Sequence, residues 1–164
     1  MEIWDAYDEH FNRIENMSLV RGEHIPKGVL HLVCDILVKH FDGDYLLMLR
    51  DPGKRHGGMW EASAGGSALQ GETPLECAVR ELYEETGIAA DKLQQIGQVI
   101  SSEKHTIYVE FLCVTDHDKD GIILQEGETS AFKWVSRDEL IRMDRRELIT
   151  ERIQQFVQEL KRNE

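Results

Sequence analysis

Residues 66–88 read GSALQGETPLECAVRELYEETGI, and this stretch writes out a helix together with its start and its stop. Thr73 is an N-cap residue, Pro74 suits the first helical position, and Glu76 completes a T-x-x-E capping box. Thr86-Gly87 is the stop, because Gly87 tolerates the left-handed conformation that closes a helix. The spacing predicts a helix over 74–86. Leu75, Ala78, Val79 and Leu82 make one apolar stripe that should face a sheet. Just upstream, Gly65-Gly66 lets the backbone approach a neighbour closely, and Gly71 marks a tight loop.

The same helix carries Glu81, Glu84 and Glu85 at i, i+3 and i+4, hence on one face at the rim of the apolar stripe. Like charges at this spacing cost a few tenths of a kcal/mol per pair, roughly. They also sit in the last turns, where the helix dipole disfavours anions. Folding alone gives no reason to place three carboxylates there. A divalent cation reverses both penalties, and hard cations such as Mg2+ take oxygen ligands while keeping waters. A solvated acidic face is the ordinary alternative for E-x-x-E-E by itself. Arg80 beside the acids, able to grip a carboxylate bidentately, and the glycines before the helix point instead to a metal–diphosphate platform.

Outward from the helix, the chain reads as a mixture. Residues 1–28 look like an extension of small strands and turns ending at Pro26-Lys27-Gly28. Leu30 to Val38 and Tyr45 to Leu49 read as strands joined at Asp42-Gly43-Asp44, a hairpin. Residues 51–71 read as loop. Strands are expected at 93–101 and 105–115, a loop at 116–131 holding a short strand at Ile122–Leu124, and a last strand from Phe132 to Val135. Two helices close the chain. Ser136 with Glu139 caps the first. Asp144 is expected to cap the second, whose apolar face is Leu148, Ile149, Ile153, Phe156, Val157 and Leu160 and packs on the sheet. With no repeating βαβ rhythm, the class is α+β or a mixed-sheet sandwich. The division expected is 1–28 as an extension packed on one domain, 29–164.

With 164 residues, 41% of them apolar and 30% charged, the chain has the composition of a soluble domain. No apolar run nears the roughly 18 residues of a membrane span, and Met1-Glu2-Ile3-Trp4-Asp5 is no signal peptide, so a cytoplasmic location is expected. The net charge of −12 argues against a nucleic-acid backbone or an anionic membrane as partner. An anionic small substrate stays open if metal ions intervene. Cys34, Cys77 and Cys113 have no zinc or disulfide spacing and read as buried small hydrophobes. His10, His24, His40, His105 and His117 show no ligand spacing.

These residues resemble the Nudix box, G-x5-E-x7-R-E-U-x-E-E-x-G-U. Gly66 is followed after five residues by Glu72, then after seven by Arg80-Glu81-Leu82-Tyr83-Glu84-Glu85-Thr86-Gly87-Ile88, with every defined position filled. The resemblance implies an α/β/α sandwich with a mixed sheet and a loop-helix-loop that binds Mg2+ or Mn2+. It makes Glu81, Glu84 and Glu85 the metal ligands, with help from the Gly66 carbonyl. Arg80 and Glu72 become braces, and an acid from a later loop joins the site: Glu128 first, Glu126 second. Family habit adds homodimerisation as an expectation.

The flanks, Glu2 to Asp8, Arg21-Gly22-Glu23, His31-Leu32-Val33 and Gly58-Met59-Trp60, are similar to Nudix proteins close to isopentenyl-diphosphate isomerase. Those isomerases place a catalytic cysteine five positions after the tryptophan, and here that position is Gly65. Protonating an alkene needs an acid delivered at one point, so the resemblance to related hydrolases is the better one. Three readings follow: hydrolysis of a nucleoside diphosphate linked to another group, isomerisation of isopentenyl diphosphate, and a non-catalytic Nudix-fold binding module. For the first, Glu85 or Glu128 is the candidate base. Arg50, Lys54, Arg55 and His56 are candidate phosphate contacts or ordinary surface residues, and Trp60 either stacks on a base or packs under its loop.

Overall fold

The computed structural model describes residues 1–162. The chain opens with a hairpin, β1 (Ile3–Tyr7) against β2 (Arg13–Val20), which has its own small core of Trp4, Ala6, Leu19 and Val29. The main sheet contains β3 (His31–His40), β4 (Tyr45–Arg50), β5 (Trp60–Glu61), β6 (Ala64–Ser67), β7 (Gln94–Ser101), β8 (Thr106–Thr115) and β9 (Thr129–Val135). Its order is β5-β4-β3-β8-β7, with β6 also on β3 and β9 also on β4. β3 runs parallel to β8 along its whole length, and the other pairs are antiparallel. The sheet is thus mixed, as the α+β reading expects.

The period of two along β3 sorts its side chains between two layers. Leu32, Cys34, Ile36 and Val38 join Cys77, Ala78 and Leu82 of α1 (Pro74–Thr86) in one core. Leu37 points the other way, into a core shared with Leu140 of α2 (Arg137–Arg142) and Ile153 and Val157 of α3 (Arg152–Arg162). Helices therefore cover both faces, an α/β/α arrangement. All three cysteines are free and buried.

Several sequence expectations give way. Residues 51–71 are not loop throughout: β5 and β6 lie within them, and β6 pairs Gly66 with Cys34 and Gly65 with Asp35. Glycine masks strand character locally, and the long β3 supplies the ladder that overrides it. Ile122–Leu124 forms no strand, because the Ile123 N–H donates to the Thr86 carbonyl at 2.9 Å and closes the end of α1 instead. The last strand begins earlier than expected, at Thr129, through its pairing with β4. Asp144 caps a single 3-10 turn, Arg145–Glu147, and not α3. Leu148 and Ile149 run extended beside Trp60, the Ile149 N–H donating to the Trp60 carbonyl. Thr150 then accepts from the Arg152 N–H as α3 starts.

Candidate active site

α1 begins and ends as its sequence dictates. Thr73 and Glu76 make the reciprocal capping box, and Gly87 closes the helix at φ 77°. Its rotation about its own axis is different from the expectation. The buried side is Cys77, Ala78, Glu81, Leu82, Glu85 and Thr86, while Leu75 is exposed. Two of the three glutamates are thus inside the rim. The reason is Gly66. A Cβ there would stand 2.3 Å from Glu81 Oε1, so the missing side chain makes the space that the carboxylate fills.

Arg80 is the hub of the loop and helix. Its Nε and Nη2 grip Glu72 bidentately at 2.6 and 2.9 Å. Nη1 donates to Glu81 at 2.7 Å and to Glu84 at 3.3 Å, and Nη2 donates to the Ser67 carbonyl at 3.1 Å. Glu72 also accepts from the Leu69 N–H. One guanidinium so ties the glycine strand, the loop and the acidic helix face together, which a lysine with its single point charge does not do.

The electrostatics are uneven. Burial pushes the Glu81 carboxyl up and Arg80 opposes it. Glu85, 8% exposed, is pushed up to about 8, first by burial and then by Glu81 and Glu61. Glu61 is itself pushed up by burial, and its Oε2 accepts from Arg50 Nη1 at 2.8 Å. Lys54 bonds Glu128 and lies close enough to Glu85 and Glu61 to feel both. Of the expected residues, the structure brings Gly66, Glu72, Arg80, Glu81, Glu84 and Glu85 into one cluster. Lys54 links Glu128 to it. Glu126, Arg55 and His56 are exposed. Trp60 packs with the α2–α3 core and carries Lys133 over its ring at 4.1 Å, on the side of the sheet opposite Glu61. Sequence reasoning missed Glu61. Reading Trp60-Glu61 as a strand would have found it, since alternation puts Glu61 opposite the half-buried tryptophan.

Among the described residues, no three His, Cys, Asp or Glu side chains already stand as a ligand set. Arg80 holds Glu81 and Glu84, and Lys54 holds Glu128. The donor chemistry still fits a hard divalent cation. The candidate donors are oxygens, Gly66 lies against the Glu81 carboxylate, and Glu85 is raised first by burial and then by Glu81 and Glu61, whose charge such an ion would offset.

The fold and this loop-helix site define a class. The NUDIX domain family model matches residues 29–160, so the chain belongs to the Nudix hydrolase family. It is 32% identical over 142 residues to an uncharacterized Nudix hydrolase of Listeria monocytogenes, covering 85% of this chain and 83% of that one. It is also similar to an isopentenyl-diphosphate Delta-isomerase of Corynebacterium diphtheriae, 27% identical over 146 residues, covering 81% of this chain and 78% of the relative. Among solved structures, a Deinococcus radiodurans protein superposes with a TM-score of 0.77 over 96% of this chain and 98% of its own. At 17% identity that likeness speaks for the fold alone.

Proposed function

We propose that the protein is a divalent-metal-dependent hydrolase of a small molecule carrying a diphosphate linkage, a nucleoside diphosphate joined to another group. One observation carries the reading: α1 buries Glu81 and Glu85 over a glycine strand, beside Glu84, with Arg80 bonded to both Glu81 and Glu84. In this reading Glu81, Glu84, Glu85 and the Gly66 carbonyl hold Mg2+ or Mn2+. When bound, the metal acidifies a water and offsets charge on the phosphates.

The chain's own groups do the rest. Arg80 and Glu72 hold the loop and helix in register, so the ligand oxygens keep their aim. Glu85 and Glu128 are the two candidate bases for the attacking water. Glu85 is raised towards neutral pH. Glu128 becomes free once Lys54 turns from it to a phosphate. Arg50, anchored on Glu61, is a positioning group at the same rim. Homodimerisation stays part of the proposal as a property to measure by sedimentation.

The test is incubation with Mg2+ or Mn2+ and a panel of nucleotide sugars, dinucleotides, ADP-ribose, nucleoside triphosphates and isopentenyl diphosphate. Hydrolysis of at least one diphosphate compound is expected. Product from none, with folded and metal-loaded protein, would reject the enzyme. The isomerase-named relative gives the second reading its support. Gly65 weighs against it, and an allylic diphosphate product would establish it.

A further inference from the structure

The hairpin β1–β2 lies outside the residues matched by the family model, yet it holds the loop that leads into α1. The Gln70 N–H donates to the Ile3 carbonyl at 2.9 Å. The Gly71 N–H donates to Asp5 Oδ2 at 2.8 Å. Gly71 is left-handed, at φ 85°, and the next residue is Glu72, the carboxylate that Arg80 grips. The loop is therefore held from two sides, by Arg80 from the helix and by β1 from the hairpin. The hairpin is itself fixed to the sheet: Trp4 stacks on His31 at 4.4 Å, and Tyr7 pairs with Leu30.

Asp5 is an unusual anchor. It is 5% exposed, its Oδ1 accepts no hydrogen bond among the described residues, and Arg13 Nε approaches that oxygen only to 3.5 Å. Burying a carboxylate so sparsely partnered is costly. What it gains in the structure is a charge-assisted bond to Gly71 across 66 positions of sequence.

We propose that Asp5 is a positioning residue of the active site: by accepting the Gly71 N–H it fixes the loop at Leu69–Glu72, and through Glu72 and Arg80 it sets the aim of Glu81 and Glu84. The metal part of this rests on the function proposed above. The full chain carrying Asp5→Ala is compared with Asp5→Asn, which keeps an acceptor oxygen of the same reach. Mn2+ binding by calorimetry should weaken about tenfold in Asp5→Ala, the range seen for groups that orient metal ligands, and recover in Asp5→Asn. Amide hydrogen exchange gives a readout that needs no metal. In the wild-type chain Gln70 and Gly71 should exchange together with the β1–β2 amides, and Asp5→Ala should speed both at least tenfold while α1 keeps its protection.

Wild-type Mn2+ affinity in Asp5→Ala, or loop amides unaffected by it, overturns the proposal. If Asp5→Ala does not fold, the wild-type exchange decides: protection of Gly71 at the hairpin's level supports the brace, and the rate of an open loop refutes it. A wild-type chain that takes up no Mn2+ sinks the metal reading, while the exchange arm still judges the brace by itself.

Discussion

A carboxylate at position 85 faces three unfavourable influences at once: burial, the negative end of α1, and the neighbouring acids Glu81 and Glu61. Its pKa of about 8 against an ordinary 4.5 means that the folded chain holds a proton there which the unfolded chain has released. Stability from this group is complete below about pH 4.5 and is lost as pH rises through about 8. Asp35, raised to about 6 by burial, adds to the same slope at lower pH. Denaturant melts of the metal-free protein should therefore show stability falling between pH 5 and 8. Mg2+ affinity should rise over that interval, because binding must displace the proton. A flat profile would remove Glu85 from its assigned place.

Glu85→Gln separates stability from function. It removes the charge and keeps the shape, so metal-free protein at pH 8 should gain about 1 kcal/mol, a few degrees in Tm. Hydrolysis should drop by at least roughly a hundredfold. Full turnover in this variant, or in Glu84→Gln, would reject the site role assigned to that glutamate.

At the scale of elements, the loop, β6 and α1 act as one unit because Arg80 reaches all three. Arg80→Lys keeps the charge and loses the fork that grips Glu72. The helix should persist, since Thr73, Glu76 and Gly87 cap it independently. Metal affinity should fall about tenfold with helicity by circular dichroism unchanged. Equal affinity in the two proteins would show that the fork is dispensable. The rotation of α1 belongs to this scale too. Leu75 stayed in the expected apolar stripe on periodicity alone, yet it is exposed, because the room beside Gly66 draws Glu81 inward and turns the helix with it.

At the scale of the molecule, β3 is the spine. It meets β8 on one side and β6 and β4 on the other, and its two faces feed the two cores. α3 is pinned across the second face by an ion pair between Arg152 and Glu110, whose side chain is 3% exposed and whose Oε2 accepts no hydrogen bond among the described residues. A Cβ at Gly97 would lie 2.3 Å from that oxygen, so the sheet leaves it room. Removing the cation by Arg152→Ala strands a buried carboxylate and should cost about 3–5 kcal/mol in urea unfolding. A loss under about 1 kcal/mol would mean the pair is solvated and carries little.

Local chemistry determined by itself what spacing alone can encode. The capping box, the glycine stop, the acid face and the apolar run of β3 need only neighbours within a few residues, and the sequence states them. Glu61 beside Glu85, Asp5 on Gly71, the strand hidden in Gly65-Gly66 and the inward turn of α1 were decided by the tertiary structure. Each depends on two segments far apart in the chain meeting at a distance of a few ångströms, and no local pattern records which partner will arrive.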